Sequence, residues 1–125
     1  MDLKLSDSEI KVMEALWDEG EIPAKRVAER MHARLGWNVN STYTLLKRCI
    51  AKGAAERREP GFLCRALVSR EAVQRLETEK LLDLVFDGAA DKLFTALLGS
   101  GRLTGEQLRE LKKQVEALEA REAEE

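Results

Sequence analysis

The chain has 125 residues, 44% hydrophobic and 35% charged, with a formal net charge of −2; it is long enough for one well-buried core, or a small domain plus an assembly element, and too short for two large domains. Three Phe, two Trp, one Tyr, eight Gly and two Pro argue against a large β fold, and no apolar run approaches the roughly 20 residues of a membrane span. The polar start "MDLKLSDSEI" does not read as a signal peptide. Cys49 and Cys64, without a CxxC, disfavour a disulfide scaffold or a zinc site, so a cytoplasmic protein without metal or cofactor is expected.

Ser6 followed by Glu9 forms a capping box, with Leu5 and Ile10 as the hydrophobic staple. Ile10, Met13, Leu16 and Trp17 then make one apolar face of a first helix that Gly20 ends. A second helix is predicted to open at Pro23, with Ala24, Val27, Ala28, Met31 and Leu35 inward, and to stop at Gly36. In the third, Asn40 or Ser41 is the expected cap. Thr42, Leu45, Leu46, Cys49 and Ile50 form its inward stripe, and Asn40, Thr44, Lys47 and Ala51 its opposite face, flanked by Ser41, Tyr43 and Arg48.

After Gly53 the period falls towards two. "AAERRE" and "FLCRALV" around Pro60-Gly61 read as a β-hairpin carrying Arg57, Arg58 and Arg65, with aromatic packing beneath it left to Phe62. Three helices and a basic hairpin follow the order of a winged helix-turn-helix, in which the third helix enters the major groove and the hairpin lies along the backbone.

Residues 69–120 carry no strand signal. Ser69 caps a helix stapled by Val68 and Val73, with Gly88 as an expected kink. A last helix opens on the capping box Thr104 to Gln107, and beyond Leu118 a frayed tail is expected. Leu76, Leu81, Leu84, Val85, Leu93, Phe94, Leu97 and Leu98, and then the seam Leu108, Leu111 and Val115, are more apolar surface than these helices alone can cover. They are either intrachain core or, as favoured here, the interface of a homodimer. The fold class expected is therefore mainly α, with a winged helix-turn-helix over 1–69 and a helical dimerisation domain over 70–125.

Charge follows the same division. Residues 1–22 hold two bases and seven acids (net −5), residues 23–70 eleven bases and three acids (net +8), and residues 71–125 eight bases and thirteen acids (net −5). A phosphate backbone responds to local field rather than to overall charge. Asn40, Ser41, Tyr43, Thr44, Lys47 and Arg48 are thus candidates to face DNA, and Arg57 and Arg58 to neutralise phosphate from the wing. The bland alternative is a solvated helix face, with Arg57 and Arg58 pairing to Glu56 and Glu59. His32, the only histidine, lacks partners at ligand spacing and cannot form a metal or catalytic site by itself. No carboxylate pair, activated nucleophile or phosphate-cradling loop is visible, so no enzyme reaction can be named.

In the order and spacing of "LSDSEIKVMEALWDEG", "AKRVAERM", "STYTLLKRCIAKG", "FDGAADKLFTALL" and "LTGEQLRELKKQVE", the chain resembles the BlaI/MecI family of penicillinase-type repressors. Trp37 before the third helix and "VFDG" at 85–88 are among the most telling parts. The resemblance implies a repressor that binds a pseudo-palindromic double-stranded operator as a homodimer. It also implies release when a sensor protease cuts the dimerisation helices, at a bond corresponding here to Ala96-Leu97. Ala96 does not match the polar residue that precedes the cut in those relatives, and the cysteine cluster of copper-responsive relatives has no counterpart after Cys64. A different class of function, a winged-helix protein-protein interaction module without specific DNA binding, uses the same surfaces.

Overall fold

A computed structural model describes residues 3–124. It orders them as α1 (Asp7–Glu19), β1 (Ile22–Pro23), α2 (Ala24–Leu35), α3 (Val39–Ala51), β2 (Ala55–Arg58), β3 (Leu63–Ala66), α4 (Arg70–Val85), α5 (Ala90–Leu98) and α6 (Gly105–Ala123). The chain divides into two compact units, Met1–Leu76 and Glu77–Glu125.

In the first unit, α1 starts at the capping box: the Glu9 N–H donates to Ser6 Oγ at 3.2 Å, and the Ser6 N–H donates to Glu9 Oε1 at 2.9 Å. The buried face of α1 is Val12, Met13, Ala15 and Leu16, with Ile10 and Trp17 only half-buried on its margins. The predicted face is thus rotated, because α1 packs against both α2 and α3 and is covered over more than one stripe. Trp17 instead uses its indole N–H to bond the Val68 carbonyl at 2.9 Å, tying α1 to the chain leaving the wing.

Pro23 does not open α2 from inside. It is the residue before the helix, in extended conformation, and forms β1 with Ile22. β1 pairs antiparallel with β3, and β3 with β2, giving the sheet order β1-β3-β2. At an edge strand the missing proline N–H leaves no central ladder bond unmade. Leu35, expected inward, is 46% exposed; the stripe of α2 outruns the core at its last residue, and Gly36 (φ 70°) turns the chain away.

Three residues join α2 to α3. His32 Nδ1 donates to the Trp37 carbonyl at 3.1 Å, bracing this turn. The cap of α3 is Asn38, earlier than expected: its side-chain oxygen accepts from the Asn40 N–H at 2.7 Å. Asn40 and Ser41 therefore lie in the first turn of α3. The predicted inward stripe is the observed one, with Thr42, Leu46 and Cys49 buried and Leu45 and Ile50 packed at the margin. These join Val27 and Met31 of α2, Ala54 and Ala55 at the start of the wing, Cys64 and Val73 in one core.

The second unit differs in kind. α5 and α6 contain no buried residue. The expected kink at Gly88 is a full break: Asp87 (φ 51°) and Gly88 (φ 79°) both adopt left-handed backbone, so helical hydrogen bonding cannot continue from α4 into α5. The Thr104–Gln107 capping box forms in both directions, at 2.9 and 3.1 Å. α6 then stays helical to Ala123, correcting the expectation of a frayed tail after Leu118. Among the described residues no helix is long and apolar enough to cross a membrane.

Candidate nucleic-acid interface

The helix-turn-helix presents one face of α3 to solvent. Asn40, Ser41, Thr44, Lys47, Arg48 and Ala51 are exposed, and Tyr43 is half-buried. They occupy this face because Thr42, Leu46 and Cys49 are held in the core at a helical spacing of three and four residues. Thr44 Oγ1 donates to the Asn40 carbonyl at 3.0 Å, which leaves its methyl group and acceptor lone pairs outward. Lys47 and Arg48 make no ion pair among the described residues.

Internal ion pairs redistribute the net +8 of residues 23–70. Asp18 and Glu19 end α1, where the helix dipole is unfavourable to acids. Three arginines offset this. Arg30 is 5% exposed and donates to Glu19 at 3.1 Å and to Asp18; Arg26 donates to Glu19 at 2.8 Å; Arg70 donates to Asp18 and lies over the Trp17 ring, 5.6 Å from its centroid. The hydrogen bond from Arg30, then that from Arg70, holds the Asp18 carboxyl below its usual range, and Arg26 followed by Arg30 does the same for Glu19. Lys52 is committed to Glu9 at 2.6 Å, and Arg65 to Glu56. The basic segment is therefore less available to a polyanion than its count, while Lys25, Lys47 and Arg48 carry the free charge beside α3.

The two wing arginines are not equivalent. The register pairs Arg57 with Cys64 and Arg58 with Leu63. Facing residues share one side of a sheet, so Arg57 lies on the side of Ala55 and Cys64, towards α3, whereas Arg58 takes the other. Arg57 stacks on Phe62, 5.0 Å from the ring centroid, and meets Glu59 at 3.7 Å. Arg58 meets Glu21 at 3.6 Å, a partner outside the hairpin that the sequence did not single out. Phe62 is 54% exposed at the tip and does not pack beneath the wing; Cys64 and Ala55 take that place.

Lys25, in the first turn of α2, was missed from sequence. It lines the same cleft as Tyr43, Lys47 and Arg57, with a volume of about 310 Å³. Its only sequence signal is its position just after Pro23, and that gains meaning only when α2 begins beside the wing. Cys49 and Cys64 are fully buried. Burial, followed by the nearby Glu9 charge, pushes the Cys49 thiol up to about 12, and burial raises Cys64 as well. Both are small core groups and not nucleophiles. Among the described residues no cluster of His, Cys, Asp and Glu could hold a metal ion.

Comparison with known proteins bears on the family and the fold. Residues 5–117 match the family model described as "Penicillinase repressor". The chain is 24% identical over 110 residues to the penicillinase repressor of Bacillus licheniformis, covering 86% of each chain. The solution structure of the DNA-binding domain of the repressor BlaI superposes with a TM-score of 0.51 at 26% identity, over 54% of this chain and 85% of that one.

Proposed function

The chain belongs to the penicillinase repressor family, a family of transcriptional regulators and not of enzymes, and on that premise we propose a homodimer that reads a pseudo-palindromic operator with two winged helices. The observation that carries the reading is the exposed face of α3, where Lys47 and Arg48, without an ion pair among the described residues, stand beside Asn40, Ser41, Tyr43 and Thr44 on a helix whose other side is locked in the core. Residues 1–69 supply the reading module and 70–125 the dimerisation helices. α3 enters the major groove, Lys47 and Arg48 contact phosphate or guanine edges, and Asn40 meets an adenine edge. Arg57 and Arg58 contact the backbone from the wing.

Two linked modules reach half-sites one or more helical turns apart, about 34–36 Å per turn, and gain from the effective concentration that linkage provides. Any event that separates or cuts the helices of residues 71–120 releases the operator. A sensor protease acting near Ala96-Leu97, an exposed stretch of α5, is one such event.

A mobility-shift titration on the DNA upstream of the chain's own gene, with non-specific competitor at two salt concentrations, tests this reading. A sequence-preferring complex is expected. Arg58→Ala is expected to weaken binding to all sequences alike and to reduce the salt slope by about one unit. Binding without sequence preference that vanishes at modest salt supports instead the protein-interaction module.

A further inference from the structure

The cleft between the first turn of α2, the Tyr43–Ile50 side of α3 and the wing tip has two unlike parts. Its floor is apolar: Leu46 and Cys64 are buried, Ile50 is half-buried, and Ala24 and Phe62 close the sides. The Cys64 sulfur donates to the Phe62 carbonyl, and its raised pKa keeps it a neutral thiol, so it adds no charge to the floor. Its rim is cationic, with Lys25, Lys47 and Arg57 arriving from three different elements beside the Tyr43 phenol; among the described residues no carboxylate lines it, and Glu59, 3.7 Å from Arg57, stands outside the lining. At about 310 Å³ it falls at the small end of ligand sites, which span about 300–1,000 Å³.

A sugar-phosphate strand lying over this cleft satisfies the rim but leaves the floor wet, because it has no apolar body to insert. A small molecule with an apolar body and one anionic head satisfies both, through apolar burial below and charge-assisted hydrogen bonds above. We propose that the cleft is a binding site for a small amphiphilic carboxylate, and that its occupancy excludes DNA because Tyr43, Lys47 and Arg57 cannot serve both ligands. The competition rests on the repressor reading above; the binding does not.

The test uses the full chain with 3-phenylpropionate as probe, its amide as neutral isostere and inorganic phosphate as a head without a body. Binding is followed by NMR chemical-shift perturbation in the absence of DNA. The carboxylate is expected to shift resonances of residues 24–25, 43–50 and 61–64 in a saturable manner, with the amide at least ~10-fold weaker and phosphate unable to reproduce the pattern. Ala24→Leu, which adds side-chain volume to the cleft and leaves every DNA-facing residue unsubstituted, is expected to abolish probe binding and keep DNA affinity. Lys25→Gln is expected to weaken the probe by about 10-fold. With DNA present, the probe is expected to lower DNA affinity in the parent and leave it unchanged in Ala24→Leu. Amide or phosphate matching the carboxylate, or Ala24→Leu binding the probe as the parent does, overturns the site. Simultaneous binding of probe and DNA overturns the exclusion. Probe binding by a protein that shows no sequence preference for DNA counts against the repressor reading and leaves the site standing.

Discussion

Glu9 closes the α1 capping box and also accepts from Lys52, which in turn donates to the Lys4 carbonyl at 2.7 Å, so one carboxylate joins the start of α1 to the end of α3. Burial acts to raise its pKa, but the Lys52 and Ser6 hydrogen bonds, with the charges of Lys52 and Arg48, outweigh it and hold the group below its ordinary 4.5. A depressed carboxylate contributes stability that is complete above the unfolded value and is lost as pH falls through the folded one. Glu9→Gln keeps a capping acceptor and removes the charge. The variant is expected to be about 1–2 kcal/mol less stable than the parent in urea at pH 7, with the gap narrowing as pH drops below 4.5. A parent and variant of equal stability at pH 7 would show that the Lys52 pair contributes nothing. The capping box was legible in residues 6–9, since it is local. The burial of Glu9 was not, because its partner lies 43 residues away. The same holds for Arg30, whose partners Asp18 and Glu19 come from another helix.

Among the elements, α3 shows how far periodicity reaches. Its stripe was correct because Thr42, Leu45, Leu46, Cys49 and Ile50 repeat at helical spacing, while its start was misplaced because Asn38, Asn40 and Ser41 are all good caps. Asn38 prevails where Gly36 ends α2 in left-handed backbone and leaves a short turn. Asn38→Ala is expected to cost about 1 kcal/mol of stability and, by fraying the turn that carries Asn40 and Ser41, to weaken operator binding more than non-specific binding. Thermal denaturation and competition titration measure the two effects; loss of stability with unaltered specificity would separate the cap from recognition. β1 escaped notice since two residues are too few to alternate. Adjacent strand residues take opposite faces, so the sequence separates the two wing arginines, but which of them turns towards α3 depends on the pairing register and the packing of the hairpin.

At the scale of the whole molecule, the contrast lies between a first unit with a continuous core and a second whose α5 and α6 bury nothing. Leu84 is 77% exposed and Val85 62%, with Phe94, Leu97, Leu98, Leu108 and Val115 also open, while Leu93 and Leu111 are half-buried. Apolar surface on this scale is unusual on a chain that stays single, and it is what supports our dimer. Replacing both Leu84 and Leu97 by Glu is expected to give a monomer in sedimentation equilibrium with an intact first unit and much weaker operator binding. Monomers that bind the operator as tightly as the parent would refute the dimer mechanism.

The sequence by itself determined the helical class, the order of three helices and a hairpin, the inward stripe of α3 and the family, because helical period, capping boxes and turn residues act within a few positions of one another. Tertiary structure alone decided which bases remain free. Arg26, Arg30, Arg70, Lys52 and Arg65 are engaged by acids from other elements or the opposite strand, whereas Lys25 and Lys47 make no ion pair among the described residues and meet Arg57, which faces Glu59 of its own hairpin, around one cleft. Charge adds along a sequence, but its availability to a ligand depends on distances of a few ångströms that exist only once the chain has folded.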